Sequence, residues 1–346
     1  LIDQSSGPWV RNAKMILRFF AQMAWLSACV TGVSLPLVWS QFHLVSLVSV
    51  LTNVLVWGGL MVALPMGVLT VITDPMHHWL GAVPGTICHF ALRYMWAVIE
   101  WTATWPGGHA WLPSPSAGLV GVFYCVMALS LLWRSRRARW FRCGWVLVWG
   151  LVAYGVATRT APLPPTTLEA TFVDVGHGTS VILRTPDQQI WLYDCGRMGN
   201  AWGTSRDIDT ALWHLGVTEL DGVFLSHADA DHYNAFSAIA DRFSIGVLVI
   251  PPGMLSRPDD GLAKVRGAVE RHGIAVREVA SGDLLEAIDG TPIRVLHPPR
   301  SGIDGNDNAN SMVLQLDCGG KPLLLPGDLE PPGTEFLISG VRPPPG

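Results

Sequence analysis

Apolar residues run almost unbroken through much of the first 165 positions, then give way to short alternating runs over the rest of the chain. Met15–Trp39 carries a single charge, Arg18, and Leu44–Ile72 has no ionisable side chain. Each is longer than the roughly 20 helical residues needed to cross a bilayer. Pro65 marks a point where the second run can kink or break. Ala117–Trp133 and Gly144–Ala157 are shorter but charge-free. Leu80–Trp105 is interrupted by Arg93 and Glu100, so it fits either a polar-lined span or a helix lying in the interface. These runs recur and no small-residue cleavage site follows the first, unlike a signal peptide.

Beyond residue 167 the period changes. β-rich runs, each ending in Gly or Asp, occupy 168–175, 180–184, 189–193, 222–225, 245–250, 293–296, 312–316 and 322–325. Helical patterns intervene at 207–215, 233–243 and 260–272. Strands interleaved with helices predict an α/β domain whose site lies at strand ends. The expected organisation is a membrane region over 1–160, a stiff Pro-rich linker over 161–167, and an α/β domain over 168–346.

Charge sharpens the division. Residues 1–165 hold ten Lys/Arg and three acids, a formal +7, with thirteen of the sixteen Trp. Residues 166–346 hold thirteen Lys/Arg and twenty-four acids, a formal −11. Arg134, Arg136, Arg137, Arg139 and Arg142 crowd the loop between the last two apolar runs. A nucleic-acid patch would look similar, but flanking spans favour a loop retained in the cytoplasm. The last span then carries the chain outward, and Arg11, Lys14 and Arg18 keep the N-terminus inside. Both ends agree if Leu80–Trp105 crosses. Cys29, Cys88, Cys125 and Cys143 read as small hydrophobes, while an exterior location would permit a Cys195–Cys318 disulfide.

Leu225-Ser226-His227-Ala228-Asp229-Ala230-Asp231-His232 places four metal-ligand side chains within six residues, just after a predicted strand. Imidazole nitrogens and carboxylate oxygens suit Zn²⁺, Mn²⁺ or Fe, and alternate residues leaving a strand can converge on one point. Asp194 and Asp328 also follow predicted strands. A lone acid there is usually a turn or cap residue. Three such places in one domain point to a metal centre.

The order of Phe172-Val-Asp-Val-Gly-His-Gly178, Tyr193-Asp-Cys-Gly196, Ser226–His232, Asn310-Ser-Met-Val-Leu314 and Pro326-Gly-Asp-Leu-Glu330 resembles one family. It is similar to the metallo-β-lactamase-fold domain of the ComEC/Rec2 family, the inner-membrane DNA-uptake channel of competent bacteria. Pro36–Ser46 followed by Leu51-Thr-Asn53 resembles the end of that family's channel domain. The resemblance implies an α-helical transmembrane region followed by an αββα sandwich. It implies one or two ions, Zn or Mn, held by His227, Asp229, Asp231, His232 and Asp328, the last bridging them. Asp194 would buttress the site, and Asp174 and His177 lie in the glycine-rich turn that can reach it. Thr179 stands where the family often has Asp. The late His-rich motif of the family is missing; His297, before a Pro pair, reads as structural. The expectation is therefore a fragment or a truncated gene.

The chemistry so implied is metal-assisted phosphodiester hydrolysis, with Asp231 orienting or deprotonating water. The domain would face the periplasm or exterior and degrade one DNA strand while the channel passes the other, beside membrane lipid and other competence proteins. Two rivals stand. The metal domain can be a gate or structural element of a pure transporter, as its acidity suggests. It can also be a membrane-tethered hydrolase of another substrate.

Overall fold

The computed structural model describes residues 8–133, 135–159, 167–199, 205–286, 292–318 and 321–340. The predicted linker lies almost wholly outside them. The chain divides into two compact units, Leu1–Ala157 and Thr158–Gly346.

The first unit is helical: α1 Pro8–Phe42, α2 Ser49–Thr73, α3 His78–Ala103, α4 Ala117–Leu131 and α5 Arg136–Ala157. Three of these are long and apolar enough to cross a membrane, over Trp9–Phe42, Ser49–Thr73 and Arg137–Ala157, while α4 is shorter. Helix α2 runs unbroken through Pro65. It forms a hairpin with α3, where small residues allow close approach: Gly59 abuts Met95, Gly67 faces Cys88 and Gly85 faces Thr70. Two three-residue strands, β1 Leu44–Ser46 and β2 His109–Trp111, pair antiparallel across the unit. Beneath that ribbon, Trp39 and Trp149 are buried with Phe123 and Ala153. Their indole N–H groups donate to Pro113 O (2.9 Å) and Leu119 O (2.8 Å). Arg142 Nη2 donates to Ser130 O at 2.7 Å, adding a charged donor to a carbonyl at the C-terminal end of α4.

The second unit is an α/β sandwich. Strands β3 Glu169–Phe172, β4 Val181–Arg184, β5 Ile190–Tyr193, β6 Glu219–Phe224, β7 Ser244–Ile250 and β8 Ala275–Glu278 form one sheet in sequence order. The first three are antiparallel; β5 to β8 run parallel. Strands β9 Leu284–Glu286, β10 Pro292–His297, β11 Val313–Cys318 and β12 Lys321–Leu325 form an antiparallel second sheet. Alternation decides what packs between them. Val181, Leu183, Tyr193, Phe224 and Val249 of the first sheet share a core with Ile293, Val295, Leu314, Leu316 and Leu325 of the second.

Alternate residues Ile182, Leu192, Val223 and Leu248 are buried on the opposite face of the first sheet. Helices α6 Arg206–His214, α7 Ala230–Tyr233, α8 Phe236–Ala240 and α9 Asp260–His272 connect the parallel strands β5 to β8, α8 packs on α9, and α10 Gly333–Gly340 packs on β10. The helix expected over 233–243 is split into α7 and α8. At the break, the Asn234 side chain bonds the backbone of Arg197 in both directions, and Ala235 N donates to Cys195 O. Those bonds tie the segment to the loop after β5 instead of continuing one helix.

Candidate metal centre

Parallel pairing aligns Tyr193 with Phe224, so β5 and β6 end side by side and release Asp194 and Ser226 at the same edge. The second sheet reaches that edge too. Met312 N, just before β11, donates to Ser226 O at 2.7 Å, and Gly327, just after β12, packs on the Ser226 side chain. Tyr193 Oη donates within reach of Met312 O (2.9 Å) and Leu325 O (3.2 Å), bridging the sheets directly below.

Asp194 is fully buried with φ of 55°, a left-handed conformation uncommon for a residue with a side chain. Its carboxylate justifies the strain. Oδ1 accepts from Ser226 N (2.7 Å), while Oδ2 accepts from Ser226 Oγ (2.7 Å) and His232 Nδ1 (2.8 Å). Ser226 Oγ also lies 2.8 Å from His227 Nδ1. A carboxylate only accepts, so the serine proton points at Asp194 and its lone pair receives His227 Nδ1–H. Both imidazoles therefore carry their proton on Nδ1 and turn Nε2 outward, the arrangement that a carboxylate behind the ring gives metal-binding histidines.

The outward nitrogens converge. Among the described residues, ligand atoms of His227, His232 and Asp328 lie within 4.8 Å of one another. His232 Nε2 is 3.3 Å from Asp328 Oδ2. His227 Nε2 is buried and has no hydrogen-bond partner among the described residues. An orphaned buried imidazole nitrogen beside a carboxylate is what a divalent cation would satisfy, so this donor set fits one. Asp229 and Asp231 stand outside the triplet. Asp229 Oδ2 is 3.5 Å from His227 Nε2, and Asp231 Oδ2 is 3.5 Å from His177 Nε2. Asp229 sits at the N-cap of α7 without using its side chain as a cap, so its oxygens stay available. Asp174 is exposed and accepts from Gly176 N, holding its own turn.

Electrostatics separates the two imidazoles. Burial, helped by nearby His232, lowers the pKa of His227 against the pull of Asp194, Asp229 and Asp328. Burial opposes charge on His232 as well, but the Asp194 hydrogen bond and charge, with Asp328 and Asp231, raise it to about 9. A proton at His232 Nε2 and a cation thus compete for one carboxylate-lined spot.

Glycines clamp the cluster. A Cβ on Gly178 would stand 2.6 Å from the Asp231 carbonyl oxygen, and one on Gly196 2.2 Å from it. Cys195 N also donates to His232 O at 2.8 Å. Cys195 itself is buried and free, and the side chain of Cys318 lies outside those the structure describes. His297 is buried, with Nδ1 2.8 Å from Ser311 O. Ser226, the hydroxyl that links both imidazoles to Asp194, escaped the sequence reading. Its signal is positional: it is the residue between the strand and the first ligand.

Two facing sheets with imidazoles and carboxylates gathered at their common edge define a metal-binding α/β sandwich attached to an apolar helical region. Residues 173–346 match the metallo-beta-lactamase superfamily and residues 3–137 match the competence protein family. The chain belongs to the metallo-beta-lactamase superfamily, in the combination with a competence domain that marks the ComEC family. Competence protein ComA of Neisseria gonorrhoeae is 30% identical over 72% of this chain and 31% of that protein. ComE operon protein 3 of Bacillus subtilis (strain 168) is 28% identical over 49% of this chain and 23% of that protein. The chain thus spans a third or less of the length of these relatives. A crystal structure of a diphosphatase from the PhnP family is similar at 11% identity and a TM-score of 0.25, over 41% of this chain and 49% of that one. Membership of the superfamily implies divalent metal binding in this half.

Proposed function

We propose that the chain is part of an integral membrane channel that internalises DNA, and that its α/β half is a metal-dependent phosphodiesterase acting on the strand not transported. The observation that carries the catalytic half is the convergence of His227, His232 and Asp328 around an unpartnered buried nitrogen. The competence match carries the channel half. His227, His232 and Asp328 would hold one ion, Zn²⁺ or Mn²⁺, with Asp229 and Asp231 completing its shell or sharing a second. A bound divalent ion supplies Lewis acidity, favouring ionised water near neutral pH and offsetting charge on a phosphoryl oxygen. Asp231 orients water and takes its proton, with His177 beside the carboxylate. Asp194 and Ser226 keep both imidazoles in one tautomer.

Topology supports an extracytoplasmic domain. The β1–β2 ribbon obliges the segments after α1 and after α3 to lie on the same side. Helices α2 and α3 then cross together or not at all, and α2 is apolar enough to cross. With the N-terminus inside, the ribbon lies outside, α4 returns the chain, the arginine loop lies inside, and α5 leads out again. Helix α4 has 15 residues and reaches about 22 Å, so local thinning of a core about 30 Å thick accommodates it.

The test uses the full chain purified in detergent. Metal content is read by mass spectrometry and cleavage with a fluorescent single-stranded oligonucleotide. Wild type retains Mn²⁺ or Zn²⁺ and cleaves; His227→Ala loses both properties. A wild-type chain that binds neither metal sinks the site. The formal charge of −11 on residues 166–346 favours a second reading, in which the metal domain is a gate or structural element. Metal retention without cleavage, with DNA uptake preserved in His227→Ala cells, selects that reading.

A further inference from the structure

A pocket of about 340 Å³ opens beside His227, and its walls carry chemistry that neither the metal residues nor the fold requires. Arg257, at the end of the turn after β7, and Arg300, in the loop after β10, both line it, so each sheet contributes one guanidinium. Asp307 is the single acid among the lining residues. The lining itself thus sets two guanidiniums against one carboxylate, within a half that is strongly acidic. Both arginines are anchored: Arg257 pairs with Asp307, and Arg300 Nη2 lies 2.8 Å from Asp283 Oδ2. A carboxylate takes up at most about two of a guanidinium's five N–H groups, so each keeps donors for another anion. Pro251, Pro252 and Ile303 supply apolar wall.

We propose that this pocket receives the nucleotide next to the scissile phosphodiester, its phosphate held between Arg257 and Arg300 and its base against the apolar wall. This rests on the phosphodiesterase reading above and sharpens it. The volume is at the small end of ligand sites, suiting one mononucleotide. A duplex, whose major groove alone is about 12 Å wide, does not enter, so the pocket selects an unpaired strand. A domain with so much negative charge cannot hold DNA by a broad basic surface, and a local pair of arginines is the alternative.

Thymidine 5′-monophosphate and thymidine serve as probes, titrated calorimetrically into the full chain in detergent, with Mn²⁺ and again after chelation. The monophosphate binds more tightly than the nucleoside in both conditions. Arg257→Gln and Arg300→Gln each weaken it about tenfold, the loss of one charge-assisted phosphate contact, without changing metal content. Arg300 is two-thirds exposed, so its variant folds, and Asp307→Asn, which frees the Arg257 guanidinium from its carboxylate partner, tightens the monophosphate. Equal binding of monophosphate and nucleoside, or arginine variants indistinguishable from wild type, overturns the proposal. If the arginine dependence appears while DNA stays uncut, the pocket stands and the phosphodiesterase reading falls.

Discussion

Asp194 is the residue on which the geometry of both imidazoles depends. It accepts the His232 proton directly and orders His227 through Ser226, at the cost of a left-handed backbone. Asp194→Asn keeps the shape but can satisfy only part of this donor set. The expected result is a folded chain whose Mn²⁺ or Zn²⁺ affinity is roughly 10–100-fold weaker in a chelator competition, the usual scale for a lost outer partner. Unchanged affinity would show that the carboxylate does not tune the site. Its neighbour Cys195 reports differently. Burial, and then the charge of Asp194, pushes the thiol well above its ordinary range, so little thiolate exists at neutral pH. Cys195 should stay unmodified by iodoacetamide until the α/β half unfolds, which peptide mapping after graded heating would reveal. Rapid labelling in the native chain would contradict the burial. At this scale the sequence displays ligands but hides their supports. His227-x-Asp229-x-Asp231-His232 is visible because its residue types are chemically unusual together. Ser226, Arg257 and Arg300 are ordinary residues whose roles depend on which strand ends the fold brings side by side.

Elements are legible where their period is strong. The strands β4 to β7 announce themselves as short, largely apolar runs because both faces of their sheet are packed, and the amphipathic helix α9 by its period near 3.6. Strand β8 does not: Ala275, Val276, Arg277 and Glu278 are all exposed on an edge, and no buried face constrains their pattern. Strand β9 has three residues, too few for a period. The polar link across the two sheets is equally hidden, since it includes a single phenol within their shared apolar core. Tyr193 Oη lies within donating reach of the carbonyls of Met312, just before β11, and Leu325, at the end of β12. Tyr193→Phe keeps the ring and leaves buried carbonyls short of a donor, costing about 1–3 kcal/mol. At about 2–4 °C per kcal/mol for a unit of this size, the melting midpoint of the α/β half falls by several degrees. Hydrogen exchange through heating resolves that half within the full chain. A midpoint equal to wild type would mean water already served those carbonyls.

For the whole molecule, the decisive constraint is that one short ribbon couples two distant segments. The sequence alone leaves Leu80–Trp105 between two readings, because Arg93 and Glu100 weaken its hydropathy. Pairing of Leu44–Ser46 with His109–Trp111 favours the span: if α2 crosses, an interfacial α3 would separate the two paired strands by a bilayer. The intimate α2–α3 contacts along Gly59, Gly67 and Gly85 argue the same way, since they run most of the helix length. This predicts sidedness that can be read in cells. In a background with native cysteines changed to serine, single cysteines replace exposed His109 in the ribbon, Ser135 in the arginine loop and Lys264 on α9. An impermeant maleimide, applied to spheroplasts, should label His109→Cys and Lys264→Cys at once and Ser135→Cys only after lysis. Labelling of Ser135→Cys from outside would invert the topology and put the metal domain in the cytoplasm. Labelling of His109→Cys only after lysis, with Lys264→Cys still accessible, would mean that the ribbon lies inside and that one of the flanking helices does not cross. Only the expected pattern sets His227, Asp328 and the arginine pocket where they would meet DNA before it enters the cell.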